Sequence, residues 1–139
     1  MTKKQKNLFK DNPYKGNAEL RNTHSLQRLA NALCYSFDGV CAACAEAGFR
    51  ELLLLHSTLL IALFFLPFKL AITMVLVFAS FFSIIVELLN TAIESAVDHT
   101  SLEKHPLAKR AKDAGNAAQY ISLILLAILW VMAITHTWF

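Results

Sequence analysis

Four residues with groups that hydrocarbon does not tolerate interrupt and then end one apolar stretch: Glu87, Asn90, Glu94 and finally Asp98. At about 100° per residue, offsets of 3, 7 and 11 from Glu87 fall within an arc of roughly 80°, so a helix presents all four from one face. The surrounding run, Leu70 to Val97, is otherwise largely apolar and long enough to cross a bilayer. A carboxylate at such depth costs about 2.5 to 3.5 kcal/mol on insertion scales, so this face must meet protein, water or bound cations rather than lipid. Asn90 alone would be explained as a hydrogen bond between helices. Three carboxylates beside it repel one another and favour a cation. Mg²⁺ is the simplest neutraliser, because it keeps several waters and completes its shell with substrate phosphate oxygens.

Basic residues follow in the run Leu107 to Asn116, which leads into the third apolar stretch, with Pro106 suited to the first position of a helix. Lys112 and Asn116 share a face at i, i+4, and a phosphate chain bridged by Mg²⁺ fits between Lys112 and the carboxylate stripe. Lys109 and Arg110 are accounted for by membrane topology alone. The four glycines, Gly16, Gly39, Gly48 and Gly115, form neither a Walker loop nor a glycine-rich kinase loop, so any phosphoryl transferase here is of an unrelated type. Cys41 and Cys44 match C-x-x-C without a second ligand pair and read as packing, His56 as a helix-packing group, and His24 and His136 as solvated or interfacial. A reading of another class makes the stripe the ion path of a small oligomeric cation channel or transporter. Against it, the acidic and basic groups cluster toward one end, and Leu70 to Phe82 carries no charge.

The elements that must position these groups follow from composition and periodicity. Of 139 residues, 56% are hydrophobic and 17% charged, where soluble domains carry about a quarter charged. With a mean hydropathy of +0.47 this predicts an all-α membrane protein. Three apolar stretches, Leu52 to Phe68, Leu70 to Val97 and Tyr120 to Phe139, predict three transmembrane helices, the first two joined at Pro67-Phe68-Lys69. Between Ser25 and Phe49, Leu26, Leu29, Leu33, Phe37, Val40, Cys41 and Cys44 recur at helical steps opposite Arg28, Asn31, Ser36 and Asp38. This predicts an amphipathic helix on the membrane surface, with Gly39 or Gly48 as points of kinking. The expected division is 1–21 disordered, 22–51 surface helix and 52–139 transmembrane domain. Eight Lys and Arg residues precede Leu52, four lie between the second and third spans, Lys69 stands alone and none follows the third, which places the N-terminus in the cytoplasm. Trp130 and Trp138 suit the opposite interface. A net charge of +3 without interleaved exposed aromatics excludes a nucleic-acid surface.

The segment Glu87-Leu-Leu-Asn-Thr-Ala-Ile-Glu94-Ser-Ala-Val-Asp98, followed by Ala111-Lys-Asp-Ala-Gly-Asn-Ala-Ala118, closely resembles the small prokaryotic integral-membrane diacylglycerol kinase family, over most of the chain from about Leu26 onward. The resemblance implies a homotrimer in the bacterial inner membrane, with active sites shared between subunits, that moves the γ-phosphate of Mg-ATP onto a membrane lipid hydroxyl. Diacylglycerol is the expected lipid and undecaprenol the alternative. By the same resemblance, Glu87 is the general base and Asn90 helps to organise it. Glu46, in Glu46-Ala-Gly-Phe-Arg50, and Glu94 hold the divalent cation, and Lys112 contacts the ATP phosphates. Asp98, Glu103, His105 and Asp113 line the adenosine part of the site. Six positions after Glu46, where the family often has an acidic residue or histidine, this chain has Leu52.

Overall fold

The computed structural model describes residues 25–100 and 105–138, all helix and connecting turns, with no strand among the described residues. The expected disorder of residues 1–21 lies outside them. Four helices follow one another: α1 (Ser25–Ala43), α2 (Ala47–Ala62), α3 (Leu70–Thr100) and α4 (Pro106–Trp138). By its internal contacts the chain divides into two units, 1–39 and 40–139. The first is represented by most of α1, on which Leu29, Leu33 and Phe37 are each more than 60% exposed and fall on one face. An apolar stripe left uncovered in this way is the pattern of an interfacial helix.

In the second unit, α1 does not run on to the following helix. After a last α-helical bond from Cys44 N–H to Val40 O, the turn tightens through Ala45 N–H to Ala42 O and Glu46 N–H to Ala43 O. Glu46 then adopts extended backbone before α2 begins. The break falls at residues 44–46 rather than at Gly39 or Gly48, and Arg50 explains it. Its Nη1 donates to Cys44 O at 3.1 Å and to Ala45 O at 2.8 Å. Carbonyls at a helix end lack intrahelical partners, and the guanidinium supplies them from the first turn of α2.

The helix of the first apolar stretch starts earlier and ends sooner than its hydropathy indicates. It has 16 residues, about 24 Å at 1.5 Å per residue, and winds down through Phe64 and Phe65 before Pro67, which disfavours helix at Leu66. The two later helices, at 31 and 33 residues, are long and apolar enough to cross a membrane. At about 46 and 50 Å they exceed the roughly 30 Å of bilayer hydrocarbon, so each carries further turns beyond it.

The antiparallel pair α3 and α4 forms the main packing contact. Its seam takes Leu76, Ala79, Ser80, Ser83 and Asn90 from one helix and Gly115, Gln119, Ser122, Leu126 and Ala133 from the other. Steps of three and four keep these residues facing the partner, and their small size lets the backbones approach. Phe49, Leu52 and His56 are the buried positions of α2. At the turn before α3, Phe68 sits edge-on to Trp130 and Trp138, with ring centroids 6.0 and 5.7 Å away.

Candidate active site

The acidic stripe of α3 is resolved by its neighbours into different environments. Asn90 is 5% exposed and turned into the seam, where its Nδ2 reaches Asn116 Oδ1 at 3.4 Å. Its Oδ1 is buried without a partner among the described residues. Gly115 permits this placement, because a Cβ there would fall on Asn90 Oδ1 and lie 3.3 Å from Cγ. Glu87 and Glu94 are half-buried, and Asp98 is exposed.

Glu46 joins the stripe from the α1–α2 link. It occupies the N-cap position of α2 without capping through its side chain. Instead its Oε2 accepts from the Thr91 hydroxyl at 3.4 Å. Thr91 lies between Glu87 and Glu94 on α3, so residues 45 positions apart in sequence reach the same level of the molecule. Both Glu46 and Glu94 are near enough to Glu87 to act on it electrostatically. Among the described residues, none of the three carboxylates is paired with Lys or Arg. They do not close into a self-sufficient metal cage, as no group of three or more ligating side chains does so among the described residues. A hard cation held by one or two carboxylates, with the rest of its shell left to phosphate and water, fits this donor set.

One turn or more beyond Glu94, α3 and α4 are tied by charge. Lys112 Nζ lies 2.6 Å from Asp98 Oδ1. That hydrogen bond, with the nearby charges of Asp98 and Glu94, holds the Lys112 ammonium above its ordinary range, so it is protonated at neutral pH. Asp113 pairs within its own helix with Lys109. His105 acts locally as well. Its Nδ1 accepts the Leu107 N–H at 3.2 Å and its carbonyl the Lys109 N–H at 3.0 Å, which caps the start of α4. Glu103 lies outside the described residues.

Glu87 opens onto a groove of about 370 Å³ between α2, α3 and α4. Its lining combines polar Glu51, Asn116, Gln119 and Tyr120 with apolar Leu52, Leu55 and Leu123. A larger groove of about 570 Å³ near the Trp138 end is lined mainly by apolar groups such as Leu76, Leu129 and Met132, and holds no carboxylate. The smaller groove joins a carboxylate to apolar side chains.

Gln119, Ser83 and Ser122 were not among the expected site residues. Gln119 Nε2 donates to Ser83 Oγ at 3.2 Å, the two serine hydroxyls are 3.1 Å apart, and Ser122 Oγ lies 2.7 Å from Gln119 O and 3.2 Å from Gln119 Oε1. A signal for Gln119 did exist: carrying the step from Lys112 to Asn116 three residues further reaches it on the same helix face.

The sequence model of the family described as prokaryotic diacylglycerol kinase matches residues 34–134. The chain belongs to that family. It is 41% identical over 119 residues to a diacylglycerol kinase of Pseudomonas aeruginosa, covering 85% of this chain and 92% of that one. Diacylglycerol kinases of Helicobacter pylori and Escherichia coli are 42% and 40% identical over 105 and 111 residues, covering 75% and 78% of this chain and 82% and 90% of theirs. The matched region holds α2, α3, the α1–α2 link and most of α4, and so every described carboxylate and amide of the site. Nothing in these similarities supports the channel reading.

Proposed function

We infer that the chain is an ATP-dependent lipid kinase that phosphorylates diacylglycerol to phosphatidic acid. The observation that carries this reading is the groove at Glu87, where a carboxylate meets apolar side chains suited to acyl chains, near acidic groups that have no Lys or Arg partner among the described residues. The lipid hydroxyl enters at Glu87, which accepts its proton while the oxygen attacks the γ-phosphorus of ATP. The oxygen–phosphorus bond forms as the bond to ADP breaks, and the proton passes from Glu87 to solvent. Asn90, one turn along α3 from Glu87 and held by Asn116 of α4, steadies this region.

Glu46 and Glu94 would hold Mg²⁺, which when bound neutralises phosphate charge. Lys112 exchanges its contact with Asp98 for the ATP phosphates, and Asp98, Glu103, His105 and Asp113 surround the adenosine part. Exposure of Glu46, Asp98 and Asp113 in the single chain supports a homotrimer that completes the site between subunits. In this proposal α2, α3 and α4 are the three spans, α1 lies on the cytoplasmic leaflet, and the N-terminus is cytoplasmic in the inner membrane, an orientation that the Lys and Arg distribution supports.

The test is transfer of labelled γ-phosphate from Mg-ATP in mixed micelles to diacylglycerol and undecaprenol side by side, with Glu87→Gln as control. Transfer to diacylglycerol that disappears in the variant is the expected result. Preference for undecaprenol would replace the assigned lipid, and full turnover by Glu87→Gln would remove the base.

A further inference from the structure

Among the described residues, the polar lining of the Glu87 groove includes one buried side chain with a donor hydrogen left over, whereas Asn116 and Tyr120 beside it are exposed. Gln119 is 8% exposed and lines the groove, yet its carboxamide is fixed from behind. The hydrogens can be followed one by one. One Nε2–H goes to Ser83 Oγ, the Ser83 hydroxyl to Ser122 Oγ, and the Ser122 hydroxyl to the Gln119 carbonyl oxygen or its Oε1. Each serine has a single hydrogen, and both are consumed. The second Nε2–H of Gln119 has no acceptor among its described hydrogen bonds.

Its level in the groove is set by Ser83, which lies four residues before Glu87 on α3. Four residues of helix are about 6 Å, directed away from the Asp98–Lys112 end. A lipid whose hydroxyl rests at Glu87 therefore places atoms about four to five bonds further into its apolar part beside Gln119. In a diacylglycerol those atoms include an ester carbonyl, which accepts hydrogen bonds. In a polyprenol or an alkyl ether they do not include one.

We propose that Gln119 donates its free Nε2–H to an acyl-ester carbonyl of the lipid substrate, so that it selects ester glycerolipids over lipid alcohols and ethers that lack this acceptor. Ser83 and Ser122 are positioning residues that orient the carboxamide. The proposal rests on the reading of Glu87 as the base that meets the lipid hydroxyl. A buried donor left without its acceptor discriminates strongly, because the site has already given up the water that would otherwise satisfy it.

The experiment uses the full chain in mixed micelles at saturating Mg-ATP, with 1,2-diacylglycerol and the 1,2-dialkylglycerol of equal chain length as competing substrates. The ester-to-ether ratio of kcat/KM is expected to be at least ~10 for the native protein and to fall within ~2-fold of unity in Gln119→Leu. Ser83→Ala, which removes the anchor without altering the groove lining, lowers the ratio several-fold while the ether rate is retained. A native ratio near one overturns the proposal, as does an unchanged ratio in Gln119→Leu. Should Gln119→Leu fail to assemble, an unchanged ratio in Ser83→Ala overturns it equally. A merely structural role would slow both substrates together and leave the ratio intact. Retained turnover in Glu87→Gln would remove the base assignment alone, since the ratio is read independently of it.

Discussion

The two ends of the α3–α4 pair solve the same packing problem with different materials. Toward Trp138 the seam is Leu76, Ala79, Leu126 and Ala133, closed at the turn by Phe68 against Trp130 and Trp138. Toward Lys112 the same two helices meet through Ser83, Gln119 and Ser122, then Asn90 and Asn116, then Asp98 and Lys112. Lipid surroundings offer no hydrophobic drive for helix association, so close contact between small and apolar groups suffices at the first end. Polar groups at the second must be satisfied one by one, and those that are not mark the places where a ligand completes them. The difference teaches that one end is a fastening and the other a site.

Substitutions at the two ends should therefore separate activity from stability. The largest effect is expected at Glu87→Gln, which removes a proton acceptor worth about 10²- to 10⁴-fold in rate while assembly persists, as rates beside size-exclusion profiles would show. Residual turnover above a tenth of native would break the distinction. Glu94→Ala comes next, with an expected loss of about tenfold or more in apparent Mg²⁺ affinity, read from metal titrations at fixed ATP, and little change in KM for the lipid. Gly115→Ala sharpens the comparison from the packing side. Its Cβ displaces the Asn90 carboxamide from Asn116, so turnover falls while thermal stability drops by about 1 to 3 kcal/mol. Pairing it with Asn90→Ala recovers the stability but not the turnover. The smallest effect belongs to Phe68→Leu, a loss of about 0.5 to 1.5 kcal/mol of stability at unchanged kcat. A matching fall in kcat would show that the fastening reaches the site.

The carboxylate stripe was legible in the sequence because a single period, applied within one helix, places Glu87, Glu94 and Asp98 together. The same arithmetic put Asn90 on that face but could not show that Gly115 draws it into the seam, since that depends on how two helices are registered. Ser83, Gln119 and Ser122 each pass singly for ordinary polar insertions in an apolar run, and only interhelical register turns them into a network. Arg50 was counted as a charge for topology, whereas its guanidinium ends α1 and starts α2. Hydropathy also blurred the first apolar stretch, because Ala47 to Glu51 is helical without being apolar. Family resemblance supplied Glu46, which no local pattern distinguishes, and the Thr91 contact now gives that residue a physical position beside the stripe.

The bonds from Arg50 span only five and six residues, and this has a consequence for the order of events during synthesis. Closing so short a loop takes on the order of 10 to 100 ns, about a million times faster than a ribosome adds the next residue. The backbone around Glu46 can thus be set while α3 and α4 are still untranslated. One acidic wall of the site is cast first, and the nascent chain delivers its counterpart, Thr91 with Glu87 and Glu94, to a shape that already exists.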